Sequence, residues 1–382
     1  MSSDQATSLA TPIPRTSTAW LAALVRAAAF PVGVGIASRL FSSALIALAG
    51  MGSTSRWPHL VDANSPFAAW DGQWFLRIAA TGYHADAVLT SGAARYHDFA
   101  FFPIWPVAIR LSSLGVLPME LTSVLLANLL WVAAMIPALA VLRGTTRDEA
   151  SARRGLLLLA LGPAAYVGSL AYSEPLFLLL VAMALLPVRH PLKAPLLTAA
   201  AQLTRLTGSA LSFAALAGSV HGRRRTVSGL LTMIAGPAAF LAWVGFIWWL
   251  TGEPLGYMRG SPDWYEQSGT EVGLLSVLHG VVVPSTYSVV SIGWVVLLMA
   301  AGIAALRTDI TAGTYACATI AATLLLASWV NMPRHALVAL PAFAILGRWL
   351  PPGRVGRVLI ALCTASQAVL VMGAIRWASF PP

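Results

Sequence analysis

Long apolar runs separated by short polar loops set the pattern of this chain. The first run covers about residues 28–49. Others follow at approximately 120–142, 155–170, 174–188, 193–204, 207–219, 227–250, 286–306, 311–330, 335–350 and 355–375. Most approach the roughly 20 residues that a helix needs to cross a bilayer. The pattern predicts an all-α polytopic membrane protein with about eleven transmembrane helices. The runs 193–204 and 207–219 are each too short to span in regular form. They are expected to form a broken pair meeting near Arg205, sealed in protein or lining a cavity.

Loop charge sets the expected orientation. The stretch Phe99–Leu117 is apolar enough to span, but then the loop Arg143–Arg154, with its four arginines, would lie outside. That breaks the bias of basic residues toward the cytoplasmic side. Placing 99–117 in the interface restores the bias for Arg189, Lys193, Arg223, Arg224, Arg225, Arg307, Arg348, Arg354 and Arg357. Phe101, Phe102 and Trp105, with Pro103 and Pro106 between them, also suit an interfacial helix. The expected layout has a cytoplasmic tail at 1–27, a transmembrane module at 28–250 and a C-terminal transmembrane module at 251–382. The first outer loop would be 50–118, and the C-terminus would lie outside.

Composition agrees with a cell-membrane protein. Apolar residues make up 58% of the 382, and only 10% are charged, against roughly a quarter in soluble domains. The formal charge is +10, but the basic residues fall in short loops and form no patch for nucleic acid. Cys317 and Cys363 lie in apolar runs and offer neither a disulfide framework nor a zinc spacing. On this layout most acids lie on or near the outer side, so carboxylate chemistry is expected there.

The segment Trp70–Tyr83 is the most informative. On a helix of 3.6 residues per turn, Trp70, Trp74, Phe75 and Ile78 share one face, and Gln73, Arg77 and Ala80 the other. Asp71 falls in the middle of the apolar face. A carboxylate there is costly unless it has a partner or a task. One reading makes it a general base that deprotonates a sugar hydroxyl. A plainer reading makes it the helix N-cap. His97 and Asp98 offer a phosphate or sugar contact and a second acid, or a simple interfacial turn. Tyr172-Ser173-Glu174-Pro175 is a polar wall for a sugar, or a capping sequence. Arg205 and Arg39, both within spans, are candidates for a lipid-linked phosphate, with snorkelling or an internal ion pair as the plainer account. Arg334, in Asn331–His335, is a further phosphate candidate or a solvated turn residue. No P-loop, His-Glu-x-x-His or Asp-x-Asp pattern occurs, so no metal ligand set or cofactor is expected.

In order along the chain, these residues resemble the PIG-V family, the second mannosyltransferase of glycosylphosphatidylinositol assembly. The likeness is carried by Ser38-Arg39, Trp70-Asp71 with Gly82-Tyr83, His97 with Phe99–Pro103, Tyr172-Ser173-Glu174, and Arg205 with Gly208. Asp98 stands where that family often has Asn, and Leu206-Thr207 replaces Ser-Asn. PIG-V enzymes are similar to the wider GT-C glycosyltransferases. The resemblance implies a GT-C-like bundle with juxtamembrane helices in the first outer loop. It also implies an inverting, metal-independent transfer of mannose from a polyprenyl-phosphate donor. In that scheme Asp71 is the base. Arg205, Arg39 and Arg334 are donor-phosphate candidates. Trp70, Trp74, His97, Asp98, Tyr172 and Glu174 are sugar or acceptor contacts. The implied partners are the polyprenyl-phosphate sugar, membrane lipids and a glycolipid or glycan acceptor. Two other readings stay open: a polyprenyl-lipid transporter or flippase, and a structural subunit of an envelope-synthesis complex.

Overall fold

A computed structural model of the chain describes residues 17–51, 65–84, 88–91, 94–187, 190–222, 226–254, 256–257 and 271–376. The first sixteen residues of the expected tail and the Arg223–Arg225 loop lie outside the described residues. The fold is helical apart from one short hairpin. Helix α1 (Ser17–Gly50) is followed by α2 (Asp71–Thr81). Strands β1 (Val88–Ser91) and β2 (Ala94–His97) then pair antiparallel. Next come α3 (Ile104–Ser112), α4 (Met119–Thr146), α5 (Glu149–Leu161) and α6 (Glu174–Leu185). α7 (Lys193–Gln202), α8 (Ser209–His221) and α9 (Val227–Thr251) complete the first two-thirds. After it lie α10 (Gly273–Val282), α11 (Thr286–Ala305), α12 (Ile310–Leu326), α13 (Met332–Ala336), α14 (Leu340–Trp349) and α15 (Gly353–Val371).

Among the described residues, five helices are long and apolar enough to cross a membrane: Val25–Gly50, Met119–Thr146, Val227–Thr251, Thr286–Ala305 and Gly353–Ile375. Leu40, Leu129 and Trp249 on three of them stay exposed, as a lipid-facing surface requires. Several other expected spans are shorter than the sequence pattern suggests. The run 155–170 is helical only to Leu161 and then turns through a 3₁₀ segment, Ala165–Ser169. The run 335–350 is split between α13 and α14, with Pro341 in the first turn of α14. Helix α10 was not anticipated, since 251–285 reads as loop.

The segment expected to form the first outer loop carries two short helices among its described residues. α2 and α3 have eleven and nine residues, so neither reaches across a hydrocarbon core about 30 Å thick at about 1.5 Å per residue. They pack together over α4. Arg110 on α3 donates to the carbonyls of Ala79 and Ala80, both at 2.9 Å, capping the C-terminal end of α2. Trp105 on α3 donates to the Ala171 carbonyl at 3.1 Å, tying the loop to the start of α6. One expectation fails here. Gln73 was assigned to a polar face, yet it is fully buried and donates to the Ala68 carbonyl at 3.0 Å. Gln73 is turned into the protein, and the exposed side of α2 is confined to Ala80 and Thr81 at its C-terminal end, with Arg77 half-buried.

The broken pair is observed. Between α7 and α8, Arg205 is extended (φ −154°, ψ 145°) and a 3₁₀ turn covers Leu206–Gly208. A Cβ at Gly208 would collide with the backbone of Gln202, so only glycine permits the close return.

Candidate active site

The sharpest local departure from regular backbone is at Trp70, whose φ of 54° and ψ of −116° are strained for a residue with a side chain. Its indole donates to the Ala374 carbonyl at 3.1 Å, which holds the kink. α2 therefore starts abruptly at Asp71. The N-cap is Trp70 and makes no side-chain capping bond, so Asp71 is the first helical residue and not the cap. Gly72 fits closely behind it, with a virtual Cβ 3.3 Å from the Ala171 methyl. α2 thus begins directly beside the Tyr172–Glu174 segment.

Asp71 Oδ2 lies 2.7 Å from Nη2 of Arg334 on α13. Arg334 also donates through Nε to Glu174 Oε1. The same Oε1 accepts from Nη1 of Arg205 at 2.7 Å. The Arg205 Nη1 further donates to Ser173 Oγ at 3.2 Å. The Arg205 Nη2 meets His335 Nδ1 at 2.6 Å. A guanidinium can only donate, so Nδ1 is the acceptor and His335 is neutral in this arrangement. The Tyr172 ring lies under the Arg334 guanidinium, 4.1 Å from Cζ, a cation–π contact.

Two carboxylates and two guanidiniums are thus linked in one chain with no net formal charge. Such a set survives burial because each ion is paired. Exposure divides it. The Glu174 and Arg334 side chains are 0% and 5% exposed. Arg205 is 10% exposed and Asp71 is 28% exposed. The buried pair forms a hinge, with an accessible carboxylate on one side and a guanidinium–imidazole pair on the other.

The structure brings together Asp71, Tyr172, Glu174, Arg205 and Arg334, with Trp70 adjoining. Arg334 is not the solvated turn residue that was one of its two readings. Ser173 makes no capping hydrogen bond, although Pro175 does sit in the first turn of α6. His335 joins the site through Arg205, and its one sequence signal is its place next to Arg334.

The other candidates lie elsewhere. Arg39 on α1 is buried and donates to the Ala165 carbonyl at 2.8 Å and to Ser169 Oγ at 3.0 Å. Its guanidinium covers Trp131 at 4.2 Å. This is neither snorkelling nor, among the described residues, an ion pair: neutral carbonyl and hydroxyl oxygens take its donors. Trp74 is buried and stacks on Phe101, with centroids 5.7 Å apart. Asp98 is fully buried in the 3₁₀ turn after β2. Burial pushes its carboxyl up to about 7, with Arg77 pulling the other way. His97 pairs with Val88 in the hairpin, and its side chain lies outside the described residues. Among the described residues, no three His, Cys, Asp or Glu side chains gather as a metal site would require.

Residues 17–204 match the profile of the family described as Mannosyltransferase (PIG-V), the family that the motifs resemble. No match was found among curated proteins. Among solved structures, the chain resembles ArnT from Cupriavidus metallidurans bound to undecaprenyl phosphate, at TM-score 0.52 and 16% identity. It also resembles the Archaeoglobus fulgidus oligosaccharyltransferase tethered to an acceptor peptide, at TM-score 0.50 and 13% identity. These likenesses cover 91% and 92% of this chain but 64% and 56% of those proteins. At such identity they show the fold, a GT-C one. Family profile and fold together support a membrane glycosyltransferase.

Proposed function

We propose that the chain is an integral-membrane inverting mannosyltransferase. It moves a mannosyl residue from polyprenyl-phosphate-mannose to a glycolipid or envelope-glycan acceptor on the outer face. The observation that carries this reading is the single accessible carboxylate, Asp71, held at the head of a buried arginine–glutamate network. The family profile supports mannose, and the undecaprenyl phosphate named with the ArnT structure supports a lipid-linked donor.

The reaction follows from the two accessible ends. Asp71 takes the proton of the acceptor hydroxyl while its oxygen forms a bond to the anomeric carbon. The bond from that carbon to the phosphate oxygen breaks, and the electron pair leaves with the lipid phosphate. Arg205 is the most exposed cation of the network and stabilises the leaving phosphate. Attack opposite the leaving group inverts the anomeric centre. Trp70, partly buried beside Asp71, supplies the aromatic wall.

The test uses protein in nanodiscs with polyprenyl-phosphate-[radiolabelled mannose] and a membrane lipid extract. Label should move into a new glycolipid with the wild type. Donor that is bound but never transferred would favour the transporter reading.

A further inference from the structure

Glu174 was expected to touch the sugar. Its surroundings contradict that role: the side chain is fully buried, and its contacts are the two arginines. One oxygen, Oε1, serves both guanidiniums. The other, Oε2, is buried with no hydrogen-bond partner. A buried carboxylate with an idle oxygen is expensive. Its place in the network shows what offsets that cost. Without Glu174, the largely buried Arg205 would lose its ion-pair partner and Arg334 one of its carboxylates.

We propose that Glu174 is a positioning residue that holds Arg334 against Asp71 and balances Arg205, so that Arg205 is restrained until an anionic phosphate arrives. The proposal rests on the glycosyltransferase reading and assigns the division of labour within that site. Arg334 is fixed by two anions at once, Asp71 through Nη2 and Glu174 through Nε. It therefore sets where the Asp71 carboxylate points. Among the described residues Arg205 makes its ion pair with Glu174, and it is the more exposed of the two arginines. The phosphate of a lipid donor is the natural second anion for Arg205, and Glu174 is its internal competitor.

This arrangement predicts a specific kinetic split. Glu174→Gln keeps the size of the side chain but removes the charge. Arg205 then lacks its competing anion and should hold a phosphate more tightly. Arg334 loses one of its two anchors, so Asp71 loses its fixed aim. A displacement of that kind costs about 10²-fold in turnover. Glu174→Gln should therefore lower kcat while leaving the donor KM equal or lower. A sugar-contact role predicts the opposite, a raised KM.

A second readout needs no turnover. The variant carries an uncompensated buried cation, which a bound anion would neutralise. Polyprenyl phosphate should therefore raise the unfolding temperature of Glu174→Gln more than that of the wild type. Glu174→Asp, which keeps the charge, should respond as the wild type does. A raised donor KM, or equal stabilisation of Glu174→Gln and wild type by polyprenyl phosphate, would overturn the proposal. If the wild type transfers no mannose but the stabilisation difference is found, the transfer reading falls and the role of Glu174 stands. If polyprenyl phosphate stabilises neither protein, both fall together.

Discussion

Arg334 Nη2 lies 2.7 Å from Asp71 Oδ2, although the two residues come from opposite parts of the chain. Asp71 belongs to the segment that matches the family profile, 17–204, and Arg334 lies well beyond it. The candidate site therefore draws on both parts of the chain. α13, in the C-terminal part, supplies the residue that links Asp71 to Glu174. Arg334→Gln should abolish transfer and, by taking the ion-pair partner from Asp71 and leaving Glu174 paired with Arg205 alone, lower stability by about 3–5 kcal/mol. Arg334→Lys should not restore activity, because one ammonium cannot reproduce a two-sided fork. Unfolding and transfer measured side by side check both points.

Arg39 separates two accounts of an intramembrane cation. Its donors are spent on the Ala165 carbonyl and on serines of α1 and the following 3₁₀ segment. Arg39→Gln should lower stability by about 2 to 3 kcal/mol. The donor KM of the folded fraction should stay within a few-fold of the wild type. A large rise in donor KM with unchanged stability would return Arg39 to the phosphate site.

Asp98 predicts a pH dependence of stability. Its folded value is about 7, against about 3.9 when unfolded. Between these values the folded state binds more protons than the unfolded one, so stability falls as pH rises. The contribution of the neutral carboxyl is complete below the unfolded value and lost as pH climbs through about 7. Asp98→Asn, which mimics the protonated form, should flatten the change in unfolding temperature between mildly acidic and mildly alkaline buffer. An unchanged slope would remove Asp98 as its source.

The position of Arg334 also depends on a tight helix crossing. α14 follows α13 directly and packs on α5 through glycine. A Cβ at Gly347 would collide with the Ser151 carbonyl and lie 2.5 Å from the Gly155 nitrogen. Small residues permit such close backbone approach between membrane helices. Gly347→Val should cost about 1–3 kcal/mol or more and reduce transfer. Gly245→Ala, where nothing lies within 4 Å of the added Cβ, should do neither.

Much of the site was legible because burying charge is costly. Asp71 on an apolar face and Arg205 at a break between short spans each stand out in a chain with so few charges. The structure gathers them with Glu174 and Arg334. What periodicity could not supply was the partner of each charge. Arg39 and Arg205 look alike in sequence, yet one is closed off by carbonyls and hydroxyls and the other faces the site. Gln73 falls on the polar side by helical phase, but phase carries no sign of the Ala68 carbonyl that takes its amide inside the protein. His335 went unassigned because a neighbour of a candidate carries no periodic signal. The count of eleven spans assumed that apolar runs stay helical throughout, whereas Pro341 and the turn at 165–169 interrupt two of them.

The most direct test of the central claim is a single-turnover comparison of wild type and Asp71→Asn, with donor lipid pre-bound and its dissociation constant measured separately. The account predicts a transfer rate lower by about 10²- to 10⁴-fold with donor affinity nearly unchanged. Transfer by Asp71→Asn at close to the wild-type rate, or a loss explained wholly by weaker donor binding, would contradict it.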